Sequence, residues 1–139
     1  NKPASLVRLN SKCLSADVTA GYDPNFANVF EKRNSSLVAC GTALCKFTGA
    51  GGKSGSNDAR AELVGEVRRA FDKAGVNWQM AELGKVDAGG GGTVAKYISK
   101  LNIDTIDIGV PVISMHAPYE VVSKADLYST YEAFVAFIG

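Results

Sequence analysis

Ile106-Asp107-Ile108-Gly109-Val110-Pro111-Val112 sets β-branched residues at every second position and then runs into Ser114-Met115-His116. That period-two spacing is the signature of a strand. Working back from it, Thr93 is placed to cap a short helix through Leu101, and Asn77 to Val86, with Trp78, Met80 and Leu83 among polar residues, reads as another strand. Leu63, Val64, Val67, Phe71 and Ala74 recur at helical spacing, with Ser56 or Asn57 as the predicted cap and Gly75 as the stop. Forward from it, Ser123 and Asp126 resemble a capping box, and Leu127, Tyr131, Phe134, Val135 and Ile138 form the expected apolar stripe of a last helix. Strands and helices interleave, which predicts an α/β layer architecture.

The N-terminal third is less regular. Leu6, Val7 and Leu9, then Cys13, Leu14, Ala16 and Val18, read as two short strands around a polar break at Asn10-Ser11-Lys12, with Asp17 ending the second. Gly21 to Asn34 sets Tyr22, Phe26 and Phe30 among turn formers and is predicted to be an ordered loop. Leu37 to Phe47 reads as a strand whose central Gly41 marks a bulge or a close backbone approach. Gly49 to Ser56 has the composition of a mobile connection.

At 139 residues the chain is of single-domain size, and its 15 Lys+Arg against 14 Asp+Glu leave a net charge of +1. A near-neutral balance supplies no basic field for a phosphate backbone, so nucleic acid is not an expected partner. No apolar run reaches the ~20 residues of a membrane helix, and no membrane association is expected. Cys13, Cys40 and Cys45 are odd in number and lack the CxxC spacing of a zinc ribbon. They are expected to be buried thiols in a reducing compartment, which places the protein in the cytoplasm.

Three features could carry chemistry. His116, the only histidine, follows an apolar strand, where open α/β sheets present functional groups. Asp17 also closes a strand pattern. The run Gly89-Gly90-Gly91-Gly92 before Thr93 would let a ligand approach the backbone closely. Taken singly, each has a plain structural alternative: a core histidine, a turn cap, a flexible turn.

Four segments in order change the reading: Ser15-Ala16-Asp17, Glu82 through Thr93, Asp107-Ile108-Gly109-Val110-Pro111, and Ser114-Met115-His116-Ala117-Pro118-Tyr119-Glu120. Together they resemble the metalloaminopeptidases of the aspartyl aminopeptidase and aminopeptidase I family, in particular its bacterial branch. The resemblance implies a phosphorylase/hydrolase-like mixed sheet with flanking helices, and an exopeptidase that removes N-terminal residues from peptides. It implies two divalent metal ions, zinc foremost with cobalt or manganese as alternatives, sharing an activated water. Asp17 matches the family's terminal carboxylate ligand to one metal and His116 the imidazole ligand to the other. Gly89, Gly90, Gly91 and Gly92 match a segment lining the substrate cleft. Lys53 falls near a basic segment beside that cleft and is given no role.

The family's early His-x-Asp segment, its Glu-Glu pair with the general base, and its inserted dimerisation domain find no counterpart in residues 1–139. The chain is therefore expected to be the C-terminal portion of a catalytic domain, with the general-base glutamate upstream and the isolated chain inactive. Homo-oligomers are implied for the full enzyme. Strands left without neighbours in a partial domain are expected to promote self-association. The alternative from another class is a non-catalytic interaction or assembly module derived from the same fold.

Overall fold

The computed structural model describes residues 2–50, 54–85 and 88–139. Its elements in chain order are α1 (Ala4–Leu9), β1 (Lys12–Ala20), a 3₁₀ segment (Pro24–Val29), β2 (Thr42–Cys45), β3 (Phe47–Ala50), β4 (Ser54–Asp58), α2 (Ala61–Ala74), β5 (Trp78–Met80), α3 (Ala95–Ser99), β6 (Asp104–Ile113), β7 (Val121–Val122) and α4 (Lys124–Ile138). The expected α/β class holds: a mixed sheet ordered β1-β6-β2-β5, with β7 on the end of β6, is accompanied by helices and by a separate β3-β4 hairpin. β1 runs parallel to β6, β2 antiparallel to it, and β5 parallel to β2.

The quoted strand is the central one. Thr105 through Val112 are all buried, so both faces of β6 are covered. One face, with Ile106 and with Ile108 opposite Leu44 of β2, joins Leu63, Val64, Val67 and Phe71 of α2 and Ala133 of α4 in the apolar core. Full burial of a side chain such as Leu63 or Phe71 stabilises the fold by roughly 2–3 kcal/mol relative to exposure. The other face is polar, carrying Asp107 beside Cys45 of β2.

Two glycines are required by close approach. A Cβ on Gly109 would stand 2.8 Å from the Asp17 carbonyl oxygen and 2.9 Å from the Thr19 nitrogen, so β1 lies against β6 only because the side chain is missing. Gly41, at φ +94°, would drive a Cβ to 2.3 Å from the Asn77 carbonyl oxygen. The close approach expected there is present, although the strand around it is shorter than Leu37 to Phe47.

Several local expectations are corrected. Leu6, Val7 and Leu9 lie in a helix, not a strand. The Asn10 and Ser11 side chains turn back to donate to the carbonyls of Leu6 and Val7, at 2.8 and 2.7 Å, and so close the last turn. Asp17 does not end its strand but sits within β1, which continues to Ala20. The stretch read as a mobile connection contributes strands β3 and β4, although residues 51–53, Lys53 among them, lie outside the described residues. Ser56 and Asn57 are spent on β4, and α2 starts after Arg60 with no side-chain cap. Gly75 ends α2 in the left-handed region as expected. Of the strand expected from Asn77 to Val86, the described residues through Lys85 form only Trp78–Met80, and α3 follows Val94 rather than a Thr93 cap.

The last helix is the largest correction. Ser123 caps α4 by accepting the Ala125 N–H, but the helix is turned so that Asp126, Ser129, Thr130 and Ala133 are buried. Leu127, Tyr131, Val135 and Ile138 of the expected core stripe are exposed, and Phe134 is only partly covered. The cause is a buried carboxylate: Asp126, with no exposed surface, accepts the N–H groups of Ala39 and Gly41, each at 2.7 Å, and Thr130 stands 2.8 Å from Thr42 of β2. Leu127, Tyr128, Tyr131 and Phe134 instead line a surface groove of about 610 Å³ with Lys124 and Thr130.

Asp126→Ala removes a charged acceptor and leaves two backbone N–H groups without a partner. It is expected to cost roughly 3 kcal/mol in urea unfolding, whereas Leu127→Gln and Tyr131→Gln in this chain are expected to change stability by less than about 0.5 kcal/mol.

Candidate metal centre and substrate loop

The register of β1 on β6 sets Ser15, Asp17 and Thr19 opposite Asp107, Gly109 and Pro111. Because pleating alternates, these residues share the polar face of the sheet. Asp17 is exposed there, with one carboxylate oxygen accepting the Val18 N–H at 2.7 Å. Thr19 lies deeper, its hydroxyl 3.6 Å from Cys45 Sγ.

His116 stands on the far side of the end of β6, which closes at Ile113, and its side chain is exposed. Asp17, opposite Gly109, is four residues short of that end, or about 13 Å along the strand at ~3.3 Å per residue. The two candidate ligands are thus at different heights, Asp17 within β1 and His116 in the loop beyond the end of its parallel neighbour β6. Among the described residues, no three His, Cys, Asp or Glu side chains gather as a metal-binding group. A hard carboxylate and an imidazole suit zinc, cobalt or manganese, so the donors present fit such ions while supplying only part of a coordination shell.

The glycine run falls into two halves with different duties. Gly89 donates its N–H to the Lys85 carbonyl at 2.7 Å, and a Cβ there would lie 2.7 Å from the Lys85 nitrogen. Gly90 takes φ +109°, and its nitrogen would meet a Cβ on Gly84 at 2.8 Å. These two glycines fold the loop back on itself. A Cβ on Gly91 would meet only Leu83 Cδ1, at 3.9 Å, and Gly92 is exposed. The second half is therefore open to a ligand. Val86 and Asp87, which precede the run, lie outside the described residues.

Thr93 ties this loop to the sheet. Its hydroxyl is 3.2 Å from that of Thr48 in β3, which donates to Asp107 Oδ2 at 3.1 Å. Asp107 is buried, and among the described residues its Oδ1 has no hydrogen-bond partner. Burial raises its pKa above the usual carboxylate range, an effect partly offset by the hydroxyls of Thr93, Ser15 and Thr48 and the amide of Asn57. Sequence reasoning passed over Asp107 as one alternating member of a strand. The signal available was a carboxylate in an otherwise apolar run.

The thiols differ from the expectation of three buried cysteines. Cys45 is buried and its pKa is pushed up to about 12, mainly by burial. Cys13 is half-buried and shifted upward for the same reason, then by Asp107, while Cys40 is exposed.

An exposed carboxylate on one strand, an imidazole just past its parallel neighbour and an open glycine loop are the groups this α/β layer offers to a ligand. Residues 2–138 match the model of the aminopeptidase I zinc metalloprotease family, M18. A probable M18 family aminopeptidase 1 of Clostridium acetobutylicum is 52% identical over 130 residues, covering 94% of this chain and 28% of that protein. Its counterpart in Thermotoga maritima is 46% identical over 125 residues, covering 90% of this chain and 28% of that protein. Crystal structures of aminopeptidase I from C. acetobutylicum and of the M18 aminopeptidase from T. maritima superpose with TM-scores of 0.89 and 0.92, at 51% and 44% identity. They cover 94% and 96% of this chain, but 29% and 30% of theirs. The chain belongs to the M18 family of metal-dependent aminopeptidases, and it spans a little over a quarter of the length of these relatives.

Two measurements check the site's electrostatics. A carboxyl whose pKa is raised by folding binds its proton more tightly in the native state, so Asp107 withdraws stability as pH rises from the ordinary aspartate value through its raised one. Thermal unfolding against pH is expected to show Asp107→Asn gaining on the native chain across that window and running parallel to it above. Alkylation of the folded chain with iodoacetamide, followed by peptide mass spectrometry, is expected to label Cys40 first and leave Cys45 unlabelled until unfolding.

Proposed function

We propose that residues 1–139 form the C-terminal portion of the catalytic domain of an M18 aminopeptidase that releases N-terminal residues from peptides. The family match over residues 2–138 carries this reading. It is supported by the one-quarter coverage of the relatives and by exposed donor atoms on Asp17 and His116. The mixed sheet is read as phosphorylase/hydrolase-like, the full protein as a cytoplasmic homo-oligomer, and the general-base glutamate as part of the remaining catalytic domain.

In this reading Asp17 and His116 hold different members of a pair of divalent ions, zinc foremost. Such a pair, when bound, lowers the pKa of a shared water and polarises the scissile carbonyl. The protein's own contributions are positional. Gly109 lets β1 press on β6, which fixes the height of the Asp17 carboxylate relative to the β6 terminus. Gly91 and Gly92, unobstructed by side chains, offer backbone N–H and C=O groups to a peptide, while Gly89, Gly90 and the Thr93-Thr48-Asp107 connection hold the loop in place. An extended peptide is the ligand class that reads backbone groups in this way.

The test compares the 139-residue chain with the longer protein encoded by the reading frame that contains it. Metal content and turnover of aminoacyl-p-nitroanilides are measured for both. The chain alone is expected to bind zinc weakly and hydrolyse nothing. The longer protein is expected to turn over, to lose activity to a chelator, and to lose at least about 100-fold in kcat/KM with Asp17→Ala or His116→Ala, since even residues supporting a ligand are worth 10–100-fold. Turnover by the short chain that neither substitution changes would overturn the mechanism. A longer protein inactive with zinc, cobalt and manganese would favour a non-catalytic module.

A further inference from the structure

The seven residues between β6 and β7 hold two left-handed backbones that are not glycine: Ser114 at φ +60° and His116 at φ +68°. Each conformation is disfavoured for an L-residue and persists only where its surroundings enforce it. Three ties enforce it here. β7 pairs Val121 with Ile113 and Val122 with Val112, which fixes the two ends of the loop. The Ala117 N–H donates to the Ser114 carbonyl at 3.0 Å, which closes a turn around Met115 and His116. The third acts on the histidine itself: the His116 N–H donates to Glu120 Oε1 at 2.5 Å.

A backbone N–H given to a carboxylate is a charge-assisted bond, roughly twice as strong as a neutral one. It also fixes the peptide plane entering His116, and hence the direction of the Cα–Cβ bond that carries the imidazole. His116 is exposed, so its side chain has little packing to aim it and backbone geometry becomes the main control. Without the carboxylate, the N–H turns to water and the residue relaxes toward the right-handed or extended regions, where the ring points elsewhere.

We propose that Glu120 is a positioning residue for His116, whose carboxylate holds the left-handed backbone from which the imidazole is presented to a metal ion. This rests on the reading of His116 as a ligand. Glu120 touches neither metal nor substrate in this role.

The experiment has two arms. In the metal-free 139-residue chain, ¹H–¹⁵N spectra and hydrogen exchange report the bond directly. The His116 amide is expected to be shifted downfield and protected, and to move upfield and exchange at least tenfold faster in Glu120→Ala. It should be largely restored in Glu120→Gln, whose amide oxygen remains an acceptor. Amides of Ala117 and of the β6-β7 ladder are expected to stay in place; if they move as well in Glu120→Ala, a His116 amide restored by Glu120→Gln supports the proposal and one that Glu120→Gln leaves shifted overturns it.

In the longer protein, zinc affinity by chelator competition and the visible spectrum of the cobalt form report the aim of the ring. Glu120→Ala is expected to weaken one metal site by 10–100-fold with altered cobalt bands, and Glu120→Gln to recover most of the loss. An unmoved His116 amide in Glu120→Ala overturns the proposal. So does a moved amide with unchanged metal affinity when His116→Ala does lower that affinity. Unchanged metal binding in His116→Ala defeats instead the reading of His116 as a ligand, and leaves the amide signature of the clamp standing.

Discussion

Both faces of one strand are buried, and the architecture follows from that burial. β6 takes part in three of the four ladders of the main sheet, with β1 on one edge and β2 and β7 on the other. Ile106 and Ile108 join α2 and α4 in the core, while Asp107, on the opposite face, is bonded to Thr48 of the hairpin. Gly109 is the narrowest point of this arrangement. The carbonyl of Asp17 lies where its side chain would be, so the position of a candidate ligand on β1 depends on a missing methyl group on β6.

Polar burial decides two further placements. α4 presents Asp126, Ser129 and Thr130 to the sheet because the Asp126 carboxylate can take the N–H groups of Ala39 and Gly41, the former in a left-handed bend at φ +65°. Satisfying a buried charge with well-aligned donors outweighs the hydrophobic gain of turning Leu127 and Tyr131 inward. Below the glycine loop, Asp107 serves through Thr48 and Thr93 as an anchor, with one oxygen unpartnered among the described residues and its acidity lowered by burial. In both cases a carboxylate organises backbone elements that are distant in sequence.

The candidate site was legible in part. His116 was found because an apolar strand ends just before it, and the structure places it there, exposed, in a bend that no periodicity announces. Asp17 was read as the end of a strand, but β1 continues past it because Val18, Thr19 and Ala20 find partners in Val110, Pro111 and Val112. The glycine run was legible as an open loop. Its division into Gly89 and Gly90, which fold it, and Gly91 and Gly92, which leave it open, depends on the nearby Leu83-Gly84-Lys85 backbone.

Local patterning determined the α/β class, the central strand, the presence of a helix through Leu63 to Phe71 and of another from Lys124, and the left-handed stop at Gly75, because each rests on periodicity or on one residue's own conformational limits. The ordered set of motifs determined the family. Tertiary structure alone decided that Ser56 and Asn57 belong to a strand and which face of the last helix is buried. In both cases the deciding partner is a hydrogen-bonding group: the β3 ladder, and the N–H groups of Ala39 and Gly41. Hydrophobic period measures how a segment would bury its apolar atoms. It carries no information about where a buried polar group will find its partner, and here that requirement prevailed.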